Sequence, residues 1–432
     1  MATTLNIKYY NTYILKKINA DTAQAQYDWF VEESRIKGDY NGKFSGIAPR
    51  AFLATDNKYQ EAFNNSIIYS GVFNSRTDIN ETNQFSVAND ITRTVDPSKG
   101  SIQKLYAEDT NLTIFQEYKV NRALINKDAI YSAEGQPITT STNLVIGQVQ
   151  PYAGEFGIST HPESFAVYGY RKYFADTNKG SIMRLSQDGL TEISNYGMYD
   201  FFRDQLNNNN LGSSGKVAGA WDIHNKCYTI SIQPTQNQNT GANALTLSFD
   251  ETVKGWTSFY SYVPSYMFSL YNRFYTFDLD GDLWQHYSEN SNRASFYGSN
   301  NSSNVTSVFN LQPSLSKSFK TVNYEGDSNW ALDSFTTNED TANAIGVYTM
   351  PTTLADMETA LLKNEFKAKE NKYFANLINT STVNQGEVIY GKDISGVKGF
   401  YSVATFSATN TGGASQTNEL FAISTEFVES SY

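Results

Sequence analysis

The chain has 432 residues, 40% of them apolar and 18% charged, which excludes a disordered polymer and leaves room for one large β domain or two to three ordinary ones. Its 33 basic and 44 acidic residues give a net charge of −11, and an acidic surface repels a phosphate backbone, so nucleic acid is not an expected partner. A single cysteine, Cys227, excludes an intrachain disulfide and fits synthesis in a reducing cytoplasm, or a stability that never needed bridges.

Aromatic residues reach 14%, with 30 Tyr and 27 Phe, while Gly (28) is frequent and Pro (9) scarce. Tyr and Phe suit pleated, half-buried surfaces, so the balance predicts many strands joined by short turns. The opening MATTLNIKYYNTYILKKINA has no continuous apolar stretch followed by a small-residue cleavage site. No window approaches the roughly 18 apolar residues that read as a membrane span. The expectation is a soluble protein with no signal peptide and no membrane span.

In chain order, residues 1–60 read as an irregular N-terminal arm with one helix, over Asp21–Ile36. Residues 61–335 read as a β-propeller-like domain of repeated short strands and turns. Its first meander covers Ile102–Ile125, turning at Ala107–Thr110. A second covers 164–194, with strands Ser164–Tyr168, Arg171–Ala175, Ser181–Ser186 and Leu190–Ser194. A helix follows over Tyr196–Leu206, with Met198, Phe201, Phe202 and Leu206 on one face. A third meander covers 217–262, with strands Ala218–Ile223, Lys226–Ile232, Ala244–Asp250 and Trp256–Tyr262. A hairpin pairs Arg273–Phe277 with Asp282–Tyr287. Residues 336–432 form a C-terminal region: a helix over Leu354–Asn364, capped by Thr353, then strands over Phe366–Lys369, Lys372–Leu377, Val397–Ser407 and Asn418–Val428. Meanders at roughly 40–45-residue spacing are the pattern of propeller blades, and a large sandwich is the competing arrangement. The fold class is therefore mainly β: a β-propeller-like meander of antiparallel blades with a few helices and irregular terminal arms. The last strand is suited either to pairing with a neighbour's sheet edge or to finishing its own domain.

Motifs for chemistry are sparse. His161, His224 and His286 lie far apart, and no Cys/His set has zinc spacing. Cys227 follows His224 by three residues, but alternate strand positions diverge, and a free Cys packs as a small hydrophobe. Gly212–Lys216 (GSSGK) lacks the first glycine and the final Ser/Thr of a phosphate loop, and Gly42–Gly46 (GKFSG) has its serine one place late for a nucleophile elbow. Asp278, Asp280 and Asp282, with Glu289, match four acidic positions of a calcium loop. Leu283 occupies the glycine position, however, and the flanks read as strands, so a plain hairpin turn is expected. The adjacent carboxylates Glu32 and Glu33 read as a solvated pair. The residues thus nominate no catalytic, cofactor-binding or metal site, and no cofactor.

Several longer strings carry a family resemblance. They are Trp29–Ile36 (WFVEESRI), Ile67–Arg76 (IIYSGVFNSR), Thr82–Asp96 (TNQFSVANDITRTVD), Gly100–Gly135 (GSIQKLYAEDTNLTIFQEYKVNRALINKDAIYSAEG), segments of Val145–Arg203, and Lys254–Ser258 (KGWTS). Over residues 29–203 above all, the chain resembles virion structural proteins of large tailed phages, both marine cyanophages and crAss-like phages, whose tail and nozzle-type proteins are the nearest analogy. The resemblance implies a non-enzymatic subunit of the tail nozzle or baseplate region of a virion. Its expected partners are other virion tail proteins and copies of itself, six by analogy with tail symmetry. A host-surface-binding adhesin module of the tail is the alternative. A glycan-degrading enzyme is a third class, and it requires a carboxylate constellation that the sequence does not display.

Overall fold

The computed structural model describes residues 13–17, 29–34, 63–71, 73–80, 82, 85, 91–108, 110–131, 137–212, 214–235, 243–339, 341–345, 365–370, 372–381, 391, 394–410 and 417–430. The mainly β class holds, since nearly all regular structure is antiparallel strand. Two compact units divide between Leu283 and Trp284, inside the 61–335 segment read as one domain. Strand pairing is the reason. Ser303–Phe309, Lys317–Gly326 and Trp330–Thr337 take partners from residues after 340, and this commits them to the C-terminal unit.

The N-terminal unit is dominated by three four-stranded meanders in which sequence neighbours are sheet neighbours. The first has strands Ile102–Glu108, Asn111–Gln116, Val120–Tyr131 and Pro137–Pro151. The second has Ala166–Tyr168, Arg171–Asp176, Ser181–Ser186 and Gly189–Glu192. The third has Lys216–Asp222, Cys227–Gln233, Leu245–Asp250 and Gly255–Tyr260. A further hairpin pairs Tyr266–Leu270 with Arg273–Phe277.

Period-two alternation explains how the second meander is held on both faces. Phe174, Met183 and Leu185 point one way and pack with Phe115 and Val120 of the first meander. Tyr173, Ala175 and Ile182 point the other way and pack with Val217, Trp221, Tyr228 and Ile230 of the third. The first meander repeats the device: Phe115 faces the second meander, while Ile114, Ala123 and Ile146 pack with Val95 beside the short ladder Ser66–Ile68/Thr92–Thr94.

The other face of the third meander is polar and internally satisfied. Gln233 donates to the Pro264 carbonyl at 2.6 Å, and Thr246 donates to the Tyr262 carbonyl at 2.7 Å. Between the first and second meanders, buried Asp176 accepts from Gly157 N at 3.0 Å, Ser159 Oγ at 3.0 Å and Lys179 N at 3.2 Å. Burial pushes its carboxyl above the ordinary aspartate value, against the pull of these hydrogen bonds.

The helix expected over Tyr196–Leu206 is present as Tyr199–Gln205. It starts late because Gly197 has φ +81°, a turn conformation. Phe202 and Leu206 pack into the shared core, with Phe202 4.4 Å from Trp256.

Two expectations need correction, and one lies elsewhere. Trp29–Ser34 is a strand, paired antiparallel with Tyr13–Lys17, and not part of a helix over Asp21–Ile36. Trp29, Phe30 and Val31 favour a pleated strand, and a partner strand overrides weak local helix signals. The C-terminal segment is no irregular arm: Leu420–Glu429 pairs along Lys317–Gly326 of its own chain. The helix expected over Leu354–Asn364 lies outside the described residues.

The C-terminal unit is built on one nine-stranded antiparallel sheet. Its path runs Ser303–Phe309, Ser402–Ala408, Trp330–Thr337, Thr341–Ile345, Lys372–Asn379, Lys317–Gly326, with Leu420–Glu429 on the far edge of Lys317–Gly326. The expected strand Val397–Ser407 is broken, with Val397–Gly399 pairing separately. Along Ser402–Ala408 every second residue is buried, the mark of a sheet with one core face. Tyr324 and Phe406 lie four strand spacings apart along this path, ~19 Å on a flat sheet. Their ring centroids are 5.9 Å apart, so the sheet curls over its own core face. Phe319, Val322, Trp330, Leu332, Phe335 and Leu377 fill the concavity.

Candidate functional site

Four strands of the N-terminal unit meet at one cavity of about 540 Å³. They are the first strands of the three meanders and the strand Tyr266–Leu270 of the hairpin, contributing Lys104, Ala166–Tyr168, Gly219–Trp221 and Tyr266–Ser269. The Pro162–Ser164 turn supplies Glu163.

The wall is one end of a column of four aromatic rings. Tyr168 stacks on Trp221 at 4.3 Å and 10°. Trp221 stacks on Tyr173 at 5.4 Å and 22°, and Tyr173 on Tyr228 at 5.0 Å and 15°. Exposure falls steeply along the column: Tyr168 is 43% exposed, Trp221 6%, and Tyr173 and Tyr228 are fully buried. Hydrogen bonds fix the inner end. Tyr228 donates its hydroxyl to the Ser164 carbonyl at 2.6 Å, and Tyr173 donates to Glu251 Oε1 at 2.7 Å. Arg184 holds Glu251 from the other oxygen at 2.9 Å. Burial pushes both phenols well above the ordinary tyrosine value. Such rings neither ionise near neutral pH nor reorient cheaply, so Tyr168 stands on a rigid support.

The column is tied in at Trp221. Its backbone carbonyl accepts from Ser269 Oγ at 2.6 Å, which joins the hairpin to the third meander. Its indole N–H is shielded from solvent and has no hydrogen-bond partner among the described residues. Around the cavity, Lys104 lies 5.4 Å over the Phe165 ring, Glu163 is exposed, and Tyr266 is 51% exposed. Tyr170 and Tyr271, in the turns that follow two lining strands, are 73% and 90% exposed.

The residues singled out by sequence do not converge. Cys227 is buried, its thiol 3.9 Å from the Thr229 hydroxyl, and burial pushes it up to about 12. His224 sits in the preceding turn with Nδ1 near Asn225 Oδ1 at 3.2 Å. His161 is held below the ordinary histidine value by burial, as is His286 among Tyr287, Phe296 and Tyr297, which is lowered to about 4. The lysine of Gly212–Lys216 donates to the Ser265 carbonyl, a structural tie. At Asp278–Asp282 the backbone closes on itself. Asp278 N donates to the Asp282 carbonyl at 3.0 Å, Asp282 N donates to Asp278 Oδ1 at 2.8 Å, and Gly281 turns at φ +93°. Asp278 thus caps a turn. Among the described residues no group of three or more His, Cys, Asp or Glu side chains is arranged to hold a metal ion. Among the same residues no helix is long and apolar enough to cross a membrane.

Tyr168, Tyr173, Trp221 and Tyr228 were not nominated from the sequence. They come from four strands of two sheets, so no spacing unites them. The only local signal was an aromatic residue beside a turn.

Comparison with known proteins assigns the class. A model described as crassvirus muzzle protein matches residues 48–279, and one described as crassvirus muzzle protein C-terminal domain matches residues 291–380. The chain is therefore a virion structural protein of the crAss-like phage type. It belongs to the crassvirus muzzle protein family. No curated protein matches it. Among solved structures, a streptogramin B lyase is similar at 12% identity and TM-score 0.20, covering 52% of this chain and 74% of that one. A sucrose-6-phosphate hydrolase from Lactobacillus gasseri is similar at 10% identity and TM-score 0.20, covering 74% and 82%. At those TM-scores the likeness defines neither fold nor chemistry.

Proposed function

We propose that this virion protein is a homo-oligomeric subunit of the tail nozzle or baseplate region, acting by assembly with other virion proteins and without catalysis. In this reading the stacked meanders are blades of a propeller-like body, and six copies form a ring. The observation that carries the proposal is the pair of open edges on the C-terminal sheet. Among the described residues, Ser303–Phe309 and Leu420–Glu429 each pair on one side only. Both edges carry exposed apolar side chains: Val305 and Val308 on one, Phe421 and Val428 on the other. Proteins that stay single blunt such edges, whereas assemblies use them for strand addition between copies. An edge-to-edge contact of two different strands is heterologous, and it closes into a ring when the rotation allows.

Electron cryo-microscopy of the virion tests the reading. A ring of this chain in the tail, with the two edges at subunit contacts, is expected. A capsid location, a single copy, or edges facing solvent in the particle would refute it. For the absence of catalysis, purified protein incubated with host envelope polysaccharide and peptidoglycan should release no product. Turnover abolished by replacing one Asp or Glu contradicts it.

A further inference from the structure

We propose that the cavity at the end of the aromatic column is a binding site for a neutral pyranose sugar, as found at the tip or along the chain of a cell-surface glycan. The inference rests on the cavity alone and is independent of where the chain sits in the virion.

A pyranose has two kinds of surface. One face presents C–H groups and stacks on an aromatic plane, while the rim presents hydroxyls that both donate and accept. The cavity offers the complement of each. Tyr168 is the plane, half open to solvent and backed by Trp221 at 4.3 Å. Because Trp221, Tyr173 and Tyr228 are buried and the inner two are hydrogen-bonded, little side-chain entropy remains to be lost at the binding step. Polar groups surround the plane without a dominant charge. One amine (Lys104), one carboxylate (Glu163) and the Tyr266 phenol lie along the lining. A charged ligand would find one of the two ions repulsive, whereas a hydroxyl-bearing neutral ligand can use both. The volume of about 540 Å³ falls in the range of about 300–1,000 Å³ typical of small-ligand sites.

The test uses the full chain. Neutral oligosaccharides of glucose, galactose, mannose and rhamnose are titrated to millimolar concentration, with tryptophan fluorescence and calorimetry as readouts. At least one should bind and perturb the fluorescence. Tyr168→Ala should weaken that binding by roughly tenfold or more, in line with loss of a central aromatic contact. Tyr168→Phe should largely keep it, because the plane remains. Tyr266→Ala provides a second lining variant should Tyr168→Ala fail to fold. Tyr199→Ala, exposed on the helix and outside the lining, should have no effect. Three results each overturn the proposal: no saccharide binds the wild-type chain, binding survives both Tyr168→Ala and Tyr266→Ala, or a proline-rich or aromatic peptide displaces the sugar and binds more tightly at the same residues.

Discussion

The Tyr228 hydroxyl donates to the Ser164 carbonyl at 2.6 Å, directly over Gly219. A Cβ at Gly219 would lie 2.3 Å from that carbonyl oxygen and 2.6 Å from the hydroxyl. No side chain fits there without breaking the link between the second and third meanders. Gly219→Ala should destabilise the N-terminal unit by about 1–3 kcal/mol, as overpacking of a filled core does. Tyr228→Phe should cost about 1–2 kcal/mol through the carbonyl left unpaired. Urea melts followed by near-ultraviolet circular dichroism measure both. An unchanged midpoint for Gly219→Ala would mean the two sheets are not clamped at this point.

Cys227 should be silent toward thiol reagents in the folded state. Its thiol is buried and pushed up to about 12, so the reactive thiolate is scarce near neutral pH. Reaction with a disulfide reagent should be slow in buffer and complete after denaturation. Fast labelling of the native chain would contradict this burial.

The C-terminal unit should lose stability on mild acidification. Burial holds His286 at about 4, below the ordinary histidine value near 6.5. The unfolded chain therefore takes up a proton there before the folded chain does. The contribution is fully present above about pH 6.5 and is lost as pH falls toward 4. Its size is on the order of 2–3 kcal/mol, reduced by the partial exposure of the ring. His286→Phe should flatten this part of the stability profile. A wild-type profile that stays flat between pH 7 and pH 4 would show that the histidine titrates normally.

Chelation should leave the melting midpoint unchanged. Asp278 uses its carboxylate to cap its own turn through Asp282 N, and Glu289 is not arranged with it as a ligand set. A fall in midpoint with EDTA, reversed by calcium, would instead assign an ion to Asp278, Asp280 and Asp282.

A chain ending at residue 417 should have an unstable C-terminal unit. Leu420, Ile423 and Phe427 pack against the core of the curled sheet, and Phe427 lies 5.9 Å from Phe319. Losing their burial and the ladder to Lys317–Gly326 should cost about 3–5 kcal/mol. Thermal melting by circular dichroism measures the loss, and sedimentation reports any change of oligomeric state. A truncated chain as stable as the full one, but no longer self-associating, would restore the view of this strand as an exchangeable arm.

Alternation and turn residues were legible in the sequence by themselves. The pattern marks Ser181–Ser186 to the residue, and Arg171–Asp176, Cys227–Gln233 and Leu245–Asp250 to within a position or two, because a period-two pattern bounded by Asp, Asn and Gly is a local property. The unusual strings over residues 29–203 also carried the family, which the matches to 48–279 and 291–380 then established. What stayed hidden depends on partners distant along the chain. Trp29–Ser34 is a strand because Tyr13–Lys17 lies beside it, and Leu420–Glu429 joins the sheet of its own chain because Lys317–Gly326, about a hundred residues earlier, offers an edge. The aromatic column is the extreme case. Tyr168, Tyr173, Trp221 and Tyr228 look like ordinary strand residues one by one, and stacking them requires two sheets to meet face to face. Hydrophobic alternation encodes which face is buried, but it does not name what buries it. Only the packed structure decides that, since burial is non-directional and the same apolar face can be satisfied by many neighbours.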